Sequence, residues 1–182
     1  MSPPALRTFI AYVEDLPGVL NRVTSLFRRR SYNIESLTVG RTERPGTSRM
    51  TIVLEADDDA ARRIEANLYK LVNVLWVEDT SAAATVVREL ALVKVRADAA
   101  SRGEVMRVCE VFRARVVDVG PEALVAEITG AAAKIEGLVD VLRPFGIVEM
   151  VRTGAVAMLR SAEAVDADRS LGPTTTDDVK AA

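Results

Sequence analysis

Histidine is absent from the 182-residue sequence and cysteine occurs once, as Cys109. The first absence removes the commonest general base and metal ligand. The second rules out an internal disulfide and a cysteine-based zinc site. A self-sufficient hydrolase or metalloenzyme is hard to assemble from what is left. Aromatic residues are 4% of the chain against 49% hydrophobic residues overall, so the core must be built from Val, Leu, Ile and Ala, as in a globular protein. Neither charge sign dominates: Lys plus Arg is 24, Asp plus Glu is 26, and the net charge is −2. That balance is unsuited to a phosphate backbone. No apolar run reaches the roughly 20 residues of a membrane span. The leading M-S-P-P-A-L-R has no basic segment followed by an apolar core, so no secretion signal is expected and the cytoplasm is the expected compartment.

What the chain does have is a distinctive stretch from Asp15 to Asn33, D-L-P-G-V-L-N-R-V-T-S-L-F-R-R-R-S-Y-N. The spacing predicts a helix entered through Pro17 and Gly18, with Pro in the first turn, where its missing N–H costs nothing. Gly18 leaves the entrance without a side chain, and first-turn amides have no intrahelical acceptors, so they remain open to an anion. Asp15 and Asn33 bracket the opening. Amides for a carboxylate and side-chain oxygens for an ammonium are what a free amino acid requires, although an ordinary capped helix start would read the same way.

Arg7 to Val13 alternates with period 2 and is expected to be a strand. Val19, Leu20, Val23, Leu26 and Phe27 form the apolar stripe of the helix that follows, closed by Arg28, Arg29 and Arg30, which suit a helix C-terminus. Asn33 to Gly40 and Arg49 to Glu55 are expected strands joined by the turn E-R-P-G-T. Asp57, Asp58 and Asp59 open a second helix with the stripe Ile64, Leu68, Leu71 and Val72, and Val74 to Glu78 is a fourth strand. Strand, helix, strand, strand, helix, strand is the split βαβ pattern of a ferredoxin-like domain.

The second half repeats this order. Strands are expected at Glu89 to Arg96, Arg115 to Val119, Leu124 to Thr129 and Ile147 to Arg152. Two helices carry Val105, Val108, Cys109 and Phe112, then Ile135, Leu138, Val139 and Leu142. Val23 and Phe27 match Val108 and Phe112 at a common offset of 85, which sets Asp15, Gly18 and Asn33 against Ala100, Gly103 and Asp118. The expected fold is therefore α+β, two tandem ferredoxin-like units over residues 1–80 and 81–160, with an amino-acid site only in the first. Residues 161–182 carry few large apolar side chains and are expected to be a disordered tail. Cys109 is expected to be buried and structural, and Trp76 packed.

The first unit resembles an ACT domain, the small-molecule-sensing ferredoxin-like module marked by D/N-x-P-G-x-L at the first helix and N-I opening the second strand. Here these are Asp15, Pro17, Gly18 and Leu20, then Asn33 and Ile34. Longer strings are similar to the small, regulatory subunits of acetolactate synthase: Y-N-I-E-S-L-T-V from Tyr32, S-R-M-T-I from Ser48, L-x-K-L-V-x-V from Leu68, R-E-L-A-L-V-K-V from Arg88 and F-R-A-R-V-V-D-V from Phe112. The similarity runs from about residue 7 to about residue 160.

The resemblance implies a chain that is not catalytic by itself. It implies activation of a separate large subunit, an acetolactate-forming transferase in branched-chain amino acid biosynthesis, which carries thiamine diphosphate, magnesium and FAD. This chain would hold no cofactor or metal. It further implies feedback by valine or another branched-chain amino acid, bound where two ACT domains pair in a homodimer or larger assembly. The effector residues would be Asp15, Leu16, Pro17, Gly18, Val19 and Leu20 of one protomer with Asn33 and Ile34 of the other. Some relatives have Asn where Asp15 stands and Ser where Pro17 stands, which leaves the ligand's orientation open. A stand-alone amino-acid sensor for another enzyme fits the shorter ACT marks equally well. An RNA-binding ferredoxin-like fold would need stacking aromatics and a basic face that this sequence lacks.

Overall fold

The computed structural model describes residues 3–161; the expected disordered tail lies outside them, apart from Ser161. The elements run β1 (Ala5–Glu14), α1 (Val19–Arg29), β2 (Ile34–Arg41), β3 (Thr47–Ala56), α2 (Asp58–Leu68) and β4 (Val74–Asp79). They continue with β5 (Thr85–Arg96), α3 (Arg102–Val111), β6 (Arg115–Val119), β7 (Ala123–Gly130), α4 (Ala132–Leu142), a 3-10 turn (Arg143–Phe145), β8 (Ile147–Arg152) and β9 (Val156–Leu159). The ferredoxin-like order occurs twice, and the chain divides into two compact units.

In the first unit the sheet order is β2-β3-β1-β4. β1 is central because it is apolar enough to be covered: Phe9, Ile10, Ala11 and Val13 are all buried. It pairs antiparallel with β3, Phe9 opposite Ile52 and Ala11 opposite Met50, and with β4 through a bulge between Tyr12 and Val13. Helix α1 buries Val19, Val23, Leu26 and Phe27, and α2 buries Ala60, Ala61, Ile64, Asn67 and Leu68. Asp57 caps α2, its carboxylate accepting the Ala60 amide at 2.7 Å, with Asp58 and Asp59 in the first turn. The three acids thus serve the helix start. Arg30, just beyond α1, donates to the buried Asn67 at 3.1 Å and joins the two helices. The α2 stripe stops at Leu68; Leu71 is half-buried beyond the helix and Val72 is 90% exposed. Trp76 is half-buried, its ring 5.5 Å from that of Tyr12.

In the second unit the order is β6-β7-β5-β8, with β9 also on β5. Its core includes Ala91, Val93, Val95, Val105, Cys109, Leu124, Ile128, Ile135, Leu138 and Leu142. Burial pushes the Cys109 thiol pKa up, which keeps it an inert core group. Gly137, inside α4, is explained by packing: a Cβ there would lie 3.2 Å from the Phe112 ring. Strand β9 was not expected. Its alternation is V-A-M-L with Ala157 facing in at 2% exposure and Val156 and Met158 facing out at 49% and 67%, so the hydrophobic pattern runs opposite to the burial pattern.

The repeat is real, but across the first strand and helix of each unit its offset is 82, not 85. Two non-glycine residues with positive φ, Ser31 (56°) and Arg113 (54°), close the two first helices, and 113 − 31 = 82. The central-strand bulges, at Tyr12/Val13 and Lys94/Val95, keep the same offset. Under it Val23 and Phe27 match Val105 and Cys109, all buried, whereas the earlier partners Val108 and Phe112 are only partly buried. A three-residue slip is close to one helical turn and still aligns apolar side chains; only the bulge and the left-handed residue break that degeneracy.

Candidate functional site

The chain leaves β1 at Glu14 and turns at once. The Asp15 amide donates to Gly46 O at 2.8 Å, and Leu16–Val19 form a β-turn closed by the Val19 amide on Leu16 O at 3.3 Å. Pro17 takes the second position of this turn and Gly18 the third, with φ 84° and ψ −8°, the values of a type II turn. Pro17 therefore lies ahead of the helix and not in its first turn as the spacing suggested. Gly18 is needed for its backbone: a Cβ there would meet nothing within 4 Å, but the conformation is left-handed.

Helix α1 begins with no side-chain cap. Its first backbone bond runs from the Arg22 amide to Gly18 O at 3.1 Å. Among the described residues the amides of Gly18, Leu20 and Asn21 have no acceptor, while that of Val19 is used by the turn. Arg22 donates to Asn73 and Asn73 to Glu14, which ties the first turn of α1 to the end of the β1–β4 ladder where β1 finishes and β4 is about to begin. Leu16 and Leu20 stand 55% and 43% exposed beside the open amides, so Leu20 leaves the core stripe expected of it. Asn33 precedes β2, donates to Glu35 at 3.0 Å, and keeps its own carbonyl oxygen without a donor among the described residues. Ile34 is half-buried on β2, the edge strand.

Asp15 is more engaged than its position in the sequence suggests. Arg41 Nε donates to Asp15 Oδ2 at 3.1 Å and Ser48 Oγ donates to Oδ1 at 3.1 Å. Sequence reasoning missed both partners, which lie 26 and 33 residues away and meet Asp15 only through the fold.

The equivalent place in the second unit is largely closed by the chain itself. At offset 82, Asp15, Gly18 and Asn33 become Ala97, Ala100 and Arg115. Here the Asp98 carboxylate accepts the amides of Ala100 (3.0 Å) and Ser101 (2.8 Å) and the Ser101 hydroxyl (2.7 Å), and Asp98 O accepts the Arg102 amide at 2.9 Å, so that of the first amides of α3 only that of Gly103 lacks an acceptor among the described residues. Arg102 adds a clasp, donating to Gly120 O at 2.8 Å and Pro121 O at 2.7 Å. The bonds from Ser101, side chain first and then backbone, hold the Asp98 carboxyl below the usual carboxylate range. A depressed folded-state pKa stabilises the fold above the unfolded value and is lost as pH falls through the folded one. Urea unfolding between about pH 3 and pH 7 should therefore show an acid-side loss of stability that is smaller in Asp98→Asn.

A second polar cleft in the first unit is lined by Arg7, Asp58, Ala61, Arg62, Glu65 and Asp79. Burial, then Asp79 and Glu78, raise the pKa of Glu65 there. Among the described residues no three His, Cys, Asp or Glu are grouped to hold a metal, and no helix is long and apolar enough to cross a membrane.

Two family models match the chain: an AHAS small subunit-like ACT domain over residues 9–76 and the small subunit of acetolactate synthase over residues 88–161. A probable acetolactate synthase small subunit from Methanothermobacter thermautotrophicus is 48% identical over 158 residues, 86% of this chain and 94% of that one. The acetolactate synthase small subunit of Mycobacterium bovis is 49% identical over 157 residues, with the same coverage of each chain. The crystal structure of the acetolactate synthase small subunit from Thermotoga maritima matches with a TM-score of 0.80 at 40% identity, over 86% of this chain and 98% of that one.

Proposed function

The chain belongs to the acetolactate synthase small-subunit family, and from this premise we propose that it activates a separate thiamine-diphosphate-dependent large subunit and makes it sensitive to feedback by valine. Thiamine diphosphate, magnesium and FAD belong to that partner, and this chain contributes no catalytic group. The effector's carboxylate lies on the open amides of Gly18, Leu20 and Asn21. Its ammonium meets oxygens of Asp15 and, from a second protomer, Asn33. Its aliphatic side chain lies against Leu16, Leu20 and the second protomer's Ile34.

The observation that carries this reading is the contrast between the two helix entrances. Among the described residues the amides of Gly18, Leu20 and Asn21 are left unpaired in the first unit, while of their counterparts in the second Ala100 donates to the Asp98 carboxylate and Arg102 to Asp98 O, leaving Gly103 alone without an acceptor. First-turn amides have no intrahelical acceptor, and the chain supplies its own acceptors to two of the three at the second entrance but to none at the first. A site shared by two protomers regulates because the effector favours one arrangement of them over another, by no more than its difference in affinity for the two. A tenfold preference is about 1.4 kcal/mol, within reach of a few charge-assisted hydrogen bonds.

Reconstitution with the large subunit, assayed with and without valine, tests the proposal; a chain that neither raises the large subunit's activity nor confers inhibition refutes it. Asn33→Ala should weaken valine binding by about 1 to 3 kcal/mol, the value of a hydrogen bond to a charged group. Titration calorimetry on the full chain reads this directly, and unchanged affinity removes Asn33 from the site.

A further inference from the structure

An effector with adjacent positive and negative groups poses a problem at Asp15, whose carboxylate attracts the ammonium and repels the carboxylate. Arg41 answers it. Ser48, 6% exposed, holds Asp15 from β3, and the Asp15 amide is tied to Gly46 O. Arg41 reaches the other carboxylate oxygen from solvent, its side chain 87% exposed. Only its Nε is used. Among the described residues the two terminal nitrogens of Arg41 have no acceptor, so the side of the guanidinium that grips carboxylates in pairs is still available.

Resting on the sensing reading above, we infer that Arg41 is the second pole of the amino-acid reader. The effector's ammonium lies on Asp15 while its carboxylate lies on the terminal nitrogens of Arg41 together with the open amides. A zwitterion then meets an ion pair of opposite sense, and neither charge of the pair is left facing its like. A 2-oxo acid of the same carbon skeleton has no ammonium and sets an anion beside Asp15. An amino-acid amide has no carboxylate and leaves Arg41 unused. The site therefore accepts the amino acid and rejects either half of its charge pattern, by leaving a charged group unmatched. An exposed ion pair contributes little to folding, so replacing Arg41 changes recognition and not the fold.

Titration calorimetry of the full chain with L-valine and with L-valinamide, on the wild type, Arg41→Gln and Arg41→Lys, tests this. Arg41→Gln should weaken valine by about tenfold or more, with Arg41→Lys between it and the wild type and valinamide affinity nearly unchanged, as expected for loss of a bidentate charged contact. Valine affinity in Arg41→Gln within about twofold of wild type, against the roughly tenfold loss of a charged contact, overturns the inference, as does an equal loss for valinamide. If the wild type itself does not bind valine, the sensing reading falls and takes this inference with it; if the wild type binds and Arg41→Gln binds equally, only the inference falls.

Discussion

Gly18→Asp should abolish valine inhibition of the reconstituted holoenzyme while leaving activation by the small subunit largely intact. Two effects act at this position, and controls separate them. The first is conformational: Gly18 has φ 84°, where a side chain costs roughly 1 kcal/mol, less for Asp or Asn than for other residues. The second is electrostatic, since the new carboxylate sits where the effector's own must lie, next to the amides of Gly18, Leu20 and Asn21. No steric block intervenes, because the space around a Cβ there is empty. Gly18→Asn shares the conformational cost without the charge and should keep part of the inhibition. Inhibition curves for the three proteins decide the matter. Undiminished inhibition in Gly18→Asp would show that the effector binds elsewhere.

Phe27→Ala should destabilise the first unit by about 3 to 5 kcal/mol, the range for truncating a fully buried aromatic. Phe27 is 1% exposed, belongs with Val19, Val23 and Leu26 to the buried face of α1, and meets the Tyr32 ring edge-on at 6.4 Å. Removing it undermines α1, whose first turn forms the proposed site, so valine binding should be lost as well. The second unit has its own core, centred on Val93, Ile128, Ile135 and Leu138, and should keep its protection. Hydrogen exchange across the chain, with urea unfolding for the magnitude, reads both effects. A loss under about 1 kcal/mol would mean that the α1 face is not the packed core described here.

Much of this was legible along the chain. Period-2 and helical patterns located every element except the 3-10 turn at Arg143–Phe145 and β9, where the inward Ala157 between outward Val156 and Met158 inverts the usual contrast. The doubled order of elements was visible too, but its register was misread by three residues, because apolar stripes on helices look alike when slipped by about a turn. Pro17 was ambiguous for a related reason: proline suits both a first helical turn and the second position of a type II turn, and only the left-handed Gly18 after it decides between them.

The sequence by itself determined the fold, the family, and the bare glycine at the mouth of α1, since all three are written in local spacing and residue type. Only the tertiary structure decided which amides stay open and which partners Asp15 takes. Val19 is spent on a turn, Asp98 takes the amides of Ala100, Ser101 and Arg102 at the second entrance, and Arg41 and Ser48 reach Asp15 from 26 and 33 residues away. The physical reason is that hydrogen bonds and ion pairs act over a few ångströms, and pairing β3 with β1 on one side and β2 on the other is what brings Ser48 and Arg41, so distant in the chain, within that range of Asp15.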